Sequence, residues 1–182
     1  MSEELTNEIR EQGVKLLSPY LEKIEHPTIK KFVIDALYYV PDSFFYIPAS
    51  SSGKYHPTYS LGTGGLVRHT MAALYFAEEL FPLYEGEFTS RQKDYIRAAL
   101  ILHDTRKPSK THPIEVKLML EPLRDKYARI FDQVIDLIES HMGQWDYFGK
   151  FPTPKSSTQK FVHLCDFLAS RKEVSVEVMS RE

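Results

Sequence analysis

Residues 91–107, with the sequence RQKDYIRAALILHDTRK, predict a helix that ends at the most informative feature of the chain, a His-Asp doublet. Its apolar residues repeat at helical spacing, and the same face continues into a histidine: Ile96, Ala99, Leu100 and His103. Upstream, Thr89 and Gln92 have the spacing of a capping box, which predicts that the helix begins just after Thr89. At the other end, the doublet His103-Asp104 places an imidazole and a carboxylate where the helix is predicted to end.

Further histidines and one more aspartate lie at helical positions on both sides of this doublet. In chain order the candidate ligands are His69, His103, Asp104, His112, His141 and Asp166. Imidazole nitrogens and carboxylate oxygens are the ligands that divalent Mn, Fe, Co, Ni and Zn accept. Helical bundles build metal sites in their cores from such side chains on facing helices. The pattern therefore predicts a metal site inside a bundle of helices.

The remaining sequence predicts helices and one long loop. An N-terminal helix is predicted to stop near Ser18-Pro19, and a second one lies between Pro27 and Pro41. Residues 41–64 then combine prolines, glycines and serines with interleaved aromatic residues, which is typical of a structured, functional loop.

We therefore predict an all-α, single-domain bundle of about six to seven helices, with a long structured loop before the first ligand helix. The prediction divides the chain into N-terminal helices at 1–44, a metal-site core at 45–171 and a tail at 172–182. A chain of 182 residues is long enough to bury a core of this kind.

Composition and charge restrict the classes of function. The 23 Lys+Arg residues nearly balance the 25 Asp+Glu residues, so no overall charge attracts nucleic acid or an anionic membrane. Cys165 is the only cysteine, which excludes an intramolecular disulfide and suits a reducing compartment. The acidic N-terminus has no signal-peptide pattern, and no apolar run approaches the ~20 residues of a membrane span. We expect a cytoplasmic protein without a membrane partner.

A purely structural explanation of the candidate ligands must be weighed as well. A single histidine on an apolar helical face is more often a hydrogen-bonded core residue than a ligand. Asp104 and Asp166 are different, because a carboxylate on or beside a buried face is costly unless it is paired or bound to a metal. Six such residues on five segments are difficult to explain as unrelated structural features. His26 and His163 lack this register, and we interpret both as structural.

Four motifs connect these residues with a known family. They are GGLVRHT at 64–70, LILHDTRK at 100–107, SHMG at 140–143 and HLCDFLAS at 163–170. Together they resemble the HD-domain metal-dependent phosphohydrolase superfamily, whose pattern is His, His-Asp, His, His and Asp in this order. The glycine pair before His69, with Lys54-Tyr55-His56 upstream, is most similar to the branch that contains HD-domain 3′-to-5′ exoribonucleases.

The resemblance implies a role for each candidate residue. It implies a first metal site formed by His69, His103, Asp104 and Asp166, and a second formed by Asp104, His112 and His141. Asp104 would bridge the two ions, which are about 3.5–4 Å apart in typical two-metal sites. One or two ions of Mn, Fe, Co, Ni, Zn or Mg would supply an activated hydroxide. Lys107 stands at the lysine of the family's His-Asp-x-x-Lys motif and would donate to a phosphate oxygen.

Several basic and aromatic residues near these motifs are candidates for substrate binding. They are Lys54, Tyr55, His56, Arg68 and Arg106. The loop that carries the first three combines phosphate donors with an aromatic ring on which a base can stack. The alternative, which the sequence leaves open, is a loop that merely covers the core with its aromatic residues.

The sequence predicts a metal-dependent phosphohydrolase that cleaves a phosphomonoester or phosphodiester of a nucleotide or short oligonucleotide. Two positions depart from the family: Arg106 stands where small or apolar residues are usual, and Met142 where many relatives have a second histidine. They keep open an alternative, a catalytically weak or inactive HD protein that binds a nucleotide or metal for regulation or scaffolding. The nucleic-acid-binding module of the exoribonucleases is not found in the chain, so long nucleic acid is not an expected partner.

Overall fold

The computed structural model describes residues 3–50, 52–54, 56–143, 146, 149 and 151–172, with side chains from residue 7 onward. Within these ranges it contains α1 (Glu3–Glu22), α2 (Pro27–Leu37), α3 (Ser43–Tyr46), α4 (Gly65–Leu80), α5 (Ser90–Leu102), α6 (His112–Leu120), α7 (Arg124–Ser140) and α8 (Ser157–Ala169). Seven of these helices have nine or more residues, α3 being the exception, and the described residues form no strand. The predicted all-α fold with six to seven helices is confirmed. No described helix has the length and apolar character needed to span a membrane.

Capping boxes define the starts of α5, where one was predicted, and of α8. At α5, the Thr89 hydroxyl accepts the Gln92 N–H at 3.3 Å, and the Gln92 side chain accepts the Thr89 N–H at 3.0 Å. Ser156 and Gln159 form the same reciprocal pair at α8, with distances of 3.2 and 3.1 Å. Each box satisfies two N–H groups that the first turn leaves without partners, and thereby determines where the helix begins.

The predicted end of the first helix near Ser18-Pro19 is wrong. α1 continues through Pro19 to Glu22. Pro19 has no N–H to donate to the carbonyl of Lys15, but the Ser18 hydroxyl donates to that carbonyl at 2.8 Å. The extra turn also brings Leu21 into the core, where it is buried.

Apolar side chains from all eight helices form one buried core. α5 lies at its centre and packs against α2, α4, α7 and α8, while α4 packs along α8. The residues predicted on the inner face of α5, Ile96, Ala99 and Leu100, are completely buried. This packing gathers α4, α8, the ends of α5 and α7, and the start of α6, which carry the candidate ligands.

The connection between α3 and α4 is tied to the start of α4. Ala49 N–H donates to the Ser60 carbonyl, and Leu66 N–H donates to the Ile47 carbonyl, both at 3.0 Å. A side chain at Gly65 would collide with the backbone of Ser60, so this close approach requires glycine. Tyr55 in this connection lies outside the described residues. The described part is a structured loop, as predicted.

Candidate metal centre

The structure brings all six candidate ligands together. His69 belongs to α4 and Asp166 to α8, whereas His103-Asp104 and His141 directly follow α5 and α7, and His112 begins α6. Each of the six is at most 5% exposed. Their ligand atoms form two groups that could each hold a metal ion: His69, His103, Asp104 and Asp166 in one, and Asp104, His112 and His141 in the other.

The first group has the spacing of ligands around a single ion. His69 Nε2 lies 2.9 Å from Asp166 Oδ1 and 3.4 Å from Asp104 Oδ2. His103 Nε2 lies 3.5 and 3.3 Å from the same two oxygens. Neighbouring ligands bound at about 2.1 Å to one ion are themselves about 3 Å apart, so the observed separations fit a cation at the centre.

The second group uses the other oxygen of Asp104. His112 Nε2 lies 3.1 Å and His141 Nε2 lies 3.7 Å from Asp104 Oδ1. The two ring nitrogens are 3.1 Å apart. Asp104 thus directs Oδ2 toward the first group and Oδ1 toward the second.

Backbone carbonyls determine which ring nitrogen three of the histidines present. Nδ1 lies close to the carbonyl oxygen three residues earlier in His103 (2.8 Å), His112 (2.9 Å) and His141 (2.6 Å). Because a carbonyl can only accept, Nδ1 carries the hydrogen in these contacts, and the Nε2 of a neutral ring presents a lone pair to the site. The facing lone pairs of His112 and His141 repel each other unless a cation lies between the rings.

Several polar atoms at the centre of the site lie near charged groups, such as the Lys107 ammonium, without a well-aligned hydrogen bond. Both oxygens of Asp104 and Nε2 of His103 are buried and have no hydrogen bond of favourable geometry. Burying a carboxylate in this way is costly unless a cation compensates its charge. Together with the donor types, this observation indicates that the residues fit a divalent metal ion.

The charges of the site favour cation binding as well. Burial by itself raises the pKa of Asp104, but His103 and Lys107 lower it well below its usual range. The pKa of Asp166 is also far below its usual range, because His103 and His69 outweigh the effect of burial. In return, Asp104 and Asp166 overcome the burial of His103 and raise its pKa to about 10. Two ionised carboxylates that stabilise the proton on His103 this strongly also attract a metal ion.

Comparison with known families supports the same interpretation. The HD domain family model matches residues 66–171, which is more than half of the chain and includes all six ligands. The chain belongs to the HD domain family. The predicted superfamily is thereby confirmed, and HD domain proteins are generally metal-dependent hydrolases. No curated protein and no solved structure shows significant similarity to the chain, so its branch within the family stays a prediction.

A cavity of about 810 Å³ opens beside the ligands of this HD domain. His112, His141 and Asp166 line it, so a molecule in the cavity can reach the metal site. The rest of the described wall comes from the loop before α4, the α5–α6 connection, the segment after α7 and the end of α8. Two of the predicted functional residues outside the ligand set, Lys107 and His56, belong to this wall.

Lys107 is charged at neutral pH, whereas His56 is neutral. Lys107 Nζ lies 2.6 Å from Asp104 Oδ2, and the nearby Asp104 and Asp166 outweigh burial and raise the pKa of Lys107. His56 is half-buried with its ring centre 5.9 Å from that of His69, and burial lowers the pKa of His56 to about 4. At neutral pH the cavity therefore contains a charged lysine and a neutral histidine.

Arg68 and Arg106 were predicted to contact substrate, but neither lines the described wall of the cavity. Arg68 donates from Nε and both terminal nitrogens to backbone carbonyls within residues 59–63, at 2.5–2.9 Å. Its donors are used inside the loop, so we correct its predicted role to that of holding the loop. Arg106 Nε lies 3.6 Å from Glu115 Oε2 and is absent from the described cavity wall. Arg106 thus faces α6, and its predicted contact with substrate is not supported either.

The last two predicted contacts lie in the loop before α4. Lys54 is exposed and does not line the described cavity wall, although it follows Ser50 and Ser52, which do. Tyr55 is outside the described residues, so its predicted role stays untested.

Some residues of the site were either not singled out from the sequence or, in the case of His163, interpreted as structural. Lys110, Phe151, Ser170 and Arg171 line the cavity, and His163 Nδ1 donates to the His141 carbonyl at 2.7 Å. Ser170 could have been found, because it lies four residues after Asp166 and therefore on the same face of α8. The others come from separate segments, and only the tertiary structure brings them to the cavity.

Proposed function

We propose that the protein hydrolyses a phosphomonoester or phosphodiester bond of a nucleotide or short oligonucleotide, using one or two divalent metal ions. The observation that carries the proposal is the division of Asp104 between two groups of ligands. Oδ2 lies near His69 and His103, and Oδ1 near His112 and His141. A bridging carboxylate of this kind is expected in a two-metal site.

The metal would supply the central chemistry. When bound, a divalent cation lowers the pKa of water toward neutrality and compensates negative charge on phosphoryl oxygens. The first group, His69, His103, Asp104 and Asp166, offers four ligands and would hold the tighter ion. The second group, with Asp104 shared, offers three.

The chain itself would contribute orientation and charge. The Lys107 ammonium is charged, lines the cavity and lies beside Asp104, so it can donate to a phosphate oxygen and stabilise charge that develops during hydrolysis. His56 lines the same cavity as a neutral ring and can donate or accept one hydrogen bond from substrate.

The size and lining of the cavity are consistent with the proposal of a small phosphorylated substrate. Its volume of about 810 Å³ is within the range of pockets that enclose small molecules, which is about 300–1,000 Å³. Apolar residues such as Phe151 and Met142 line it together with the basic residues, as a ligand with both a base and a phosphate requires. The resemblance to the exoribonuclease branch supports a nucleotide or an oligonucleotide end, and Tyr55 would stack on a base.

One observation favours the alternative of a binding protein without turnover. Lys107 pairs directly with Asp104, so its ammonium would have to leave this carboxylate in order to reach a substrate. In the alternative, Lys107 stays paired and the site holds a nucleotide or metal for regulation or scaffolding.

Hydrolysis assays on metal-depleted protein test the proposal. Adding Mn²⁺ or Co²⁺ should restore cleavage of mononucleotides or short oligonucleotides, with little activity on long duplexes. Asp166→Asn, which removes one charge from the first group, should reduce this activity to background while the circular dichroism spectrum is retained. Equal product release by wild type and Asp166→Asn would contradict the proposal, and tight nucleotide binding without any turnover would establish the alternative.

A further inference from the structure

Arg171, just after the end of α8, is a wall residue of the cavity that the proposed hydrolysis does not use. Its guanidinium carbon lies 4.2 Å from the centre of the Phe167 ring. This contact holds the guanidinium through cation–π attraction and leaves its N–H edges available. The side chain is half-buried, and its guanidinium has no hydrogen bond or ion pair with any residue that the structure describes.

Three other half-buried arginines of the described chain use their guanidinium groups inside the protein. Arg10 donates to backbone carbonyls and to Asp42, Arg68 donates to three carbonyls, and Arg97 pairs with Glu78 and Asp94. Arginine offers five donors, and leaving them unused in a partly desolvated place is unfavourable. The contrast indicates that the partner of Arg171 is a ligand in the cavity.

The surroundings hold Arg171 in position. The Tyr59 hydroxyl donates to the Ala169 carbonyl at 3.0 Å, which ties the loop before α4 to the end of α8. The Ser170 hydroxyl donates to the Asp166 carbonyl at 2.9 Å and caps the helix. The wall around Arg171 is therefore assembled before any ligand arrives, which reduces the entropic cost of binding.

Arg171 and Lys107 line the cavity from different segments of the chain. Arg171 follows the end of α8 at Ala169, five positions after Asp166. Lys107, in contrast, lies directly beside Asp104 in the ligand cluster. Of the basic residues in the described cavity wall, Lys107 is thus next to the metal ligands, Lys110 is in the α5–α6 connection and Arg171 follows the end of α8.

We propose that Arg171 binds a second phosphate of the substrate, one that is not hydrolysed, so that the preferred ligand is a nucleotide with two separate phosphate groups. Arginine suits this task because its planar fork can bind a phosphate with two parallel hydrogen bonds. The inference rests on the proposed function, since it takes the metal site as the position of the first phosphate. The second phosphate belongs either to a nucleoside bisphosphate or to the next linkage of a short oligonucleotide.

Equilibrium binding to the metal-loaded protein tests this inference without requiring turnover. The probes are hydrolysis-resistant phosphorothioate analogues of AMP, adenosine 3′,5′-bisphosphate and the dinucleotide pApA. Wild type should bind at least one of the two-phosphate probes about tenfold more tightly than the AMP analogue. This is the gain in affinity expected from one additional charge-assisted contact. The two-phosphate probe that binds more tightly shows whether the second phosphate belongs to a nucleoside bisphosphate or to an oligonucleotide linkage.

Variants at Arg171 and its neighbour complete the test. Arg171→Gln should remove the preference for two phosphates while changing AMP affinity less than threefold, and Arg171→Lys should restore part of it. Lys172→Gln, at an exposed residue outside the described cavity wall, should behave as wild type. Wild type without a preference, or an equal loss for all probes in Arg171→Gln, would overturn the inference. A preserved preference in a protein without hydrolase activity would refute only the proposed reaction.

Discussion

A buried aspartate lies at each end of α5, and the two aspartates differ in their hydrogen bonds. Asp94, near the start of the helix, and Asp104, just after its end, are both 1% exposed. Asp94 accepts the N–H groups of Glu25 and His26 at 3.2 and 2.9 Å, and it pairs with Arg97 at 3.0 Å. Asp104 has no hydrogen bond of favourable geometry on either oxygen.

This difference distinguishes a structural carboxylate from one reserved for a ligand. A buried carboxylate costs several kcal/mol unless hydrogen bonds or opposite charges compensate it. Backbone donors and an arginine compensate Asp94, which connects the start of α2 with α5. Four imidazole rings lie 3.1–3.7 Å from the oxygens of Asp104, and the Lys107 ammonium lies 2.6 Å from one of these oxygens. None makes a hydrogen bond of favourable geometry with Asp104, so the carboxylate can accept a metal ion between the rings. α5 joins both, and its packing in the core holds Asp104 in position without contributing ligands itself.

The largest expected effect concerns the charge beside Asp104. Lys107→Ala should lower kcat by about 10²–10³, the scale of losing one electrostatic donor to the transition state. Metal content should stay unchanged, as measured by elemental analysis of the same preparation. Lys93→Ala, at the Asp94 end of α5, is the matched control and should retain wild-type kcat. Full turnover in Lys107→Ala would show that Lys107 takes no part in catalysis.

A smaller effect, on stability alone, is expected at the other end of α5. Asp94→Asn should lower the free energy of unfolding by about 2–3 kcal/mol, because it removes the charge that two backbone N–H groups and Arg97 contact. Urea denaturation measures this change. Metal content and kcat of the folded variant should equal those of wild type, and loss of metal would refute the separation of the two ends.

The smallest effect is expected at Asp35, a carboxylate closer to the surface. Hydrogen bonds from Lys126 and Tyr127 lower the pKa of Asp35 to about 2. Because the folded pKa lies below the unfolded one, this stabilisation is present above pH ~4 and is lost as the pH falls through about 2.

Asp35→Asn should therefore destabilise the protein at pH 6 by about 1 kcal/mol, the upper range for exposed ion pairs. The difference from wild type should shrink at pH 3, as measured by urea denaturation at both pH values. A constant difference would show that charge is not the cause.

The ligand set was predictable because it depends on local regularity. Helical spacing places His69, His103 and Asp166 on or beside buried faces, and capping boxes locate the starts of α5 and α8. When the helices pack through those faces, their polar residues necessarily meet. The family motifs added the order of the ligands, which helical spacing alone does not contain.

Other features depend on contacts between distant segments. α1 continues through Pro19, and the Ser18 hydroxyl donates to the Lys15 carbonyl that the proline leaves without an N–H donor. A pattern of apolar residues does not indicate this contact. Arg68 looked like a phosphate donor because sequence does not show which carbonyls fold back onto it. Arg171 belongs to no motif and reaches the cavity only because α8 ends there.

Metal content after dialysis tests the central claim most directly, using Asp104→Asn and Asp94→Asn as a matched pair. Each variant replaces a buried carboxylate with an amide of the same size, Asp94 inside α5 and Asp104 just after its end. The account predicts that wild type and Asp94→Asn retain tightly bound transition metal, and that Asp104→Asn loses it together with the rise in melting temperature that added Mn²⁺ produces. Wild-type metal content in Asp104→Asn would contradict the account.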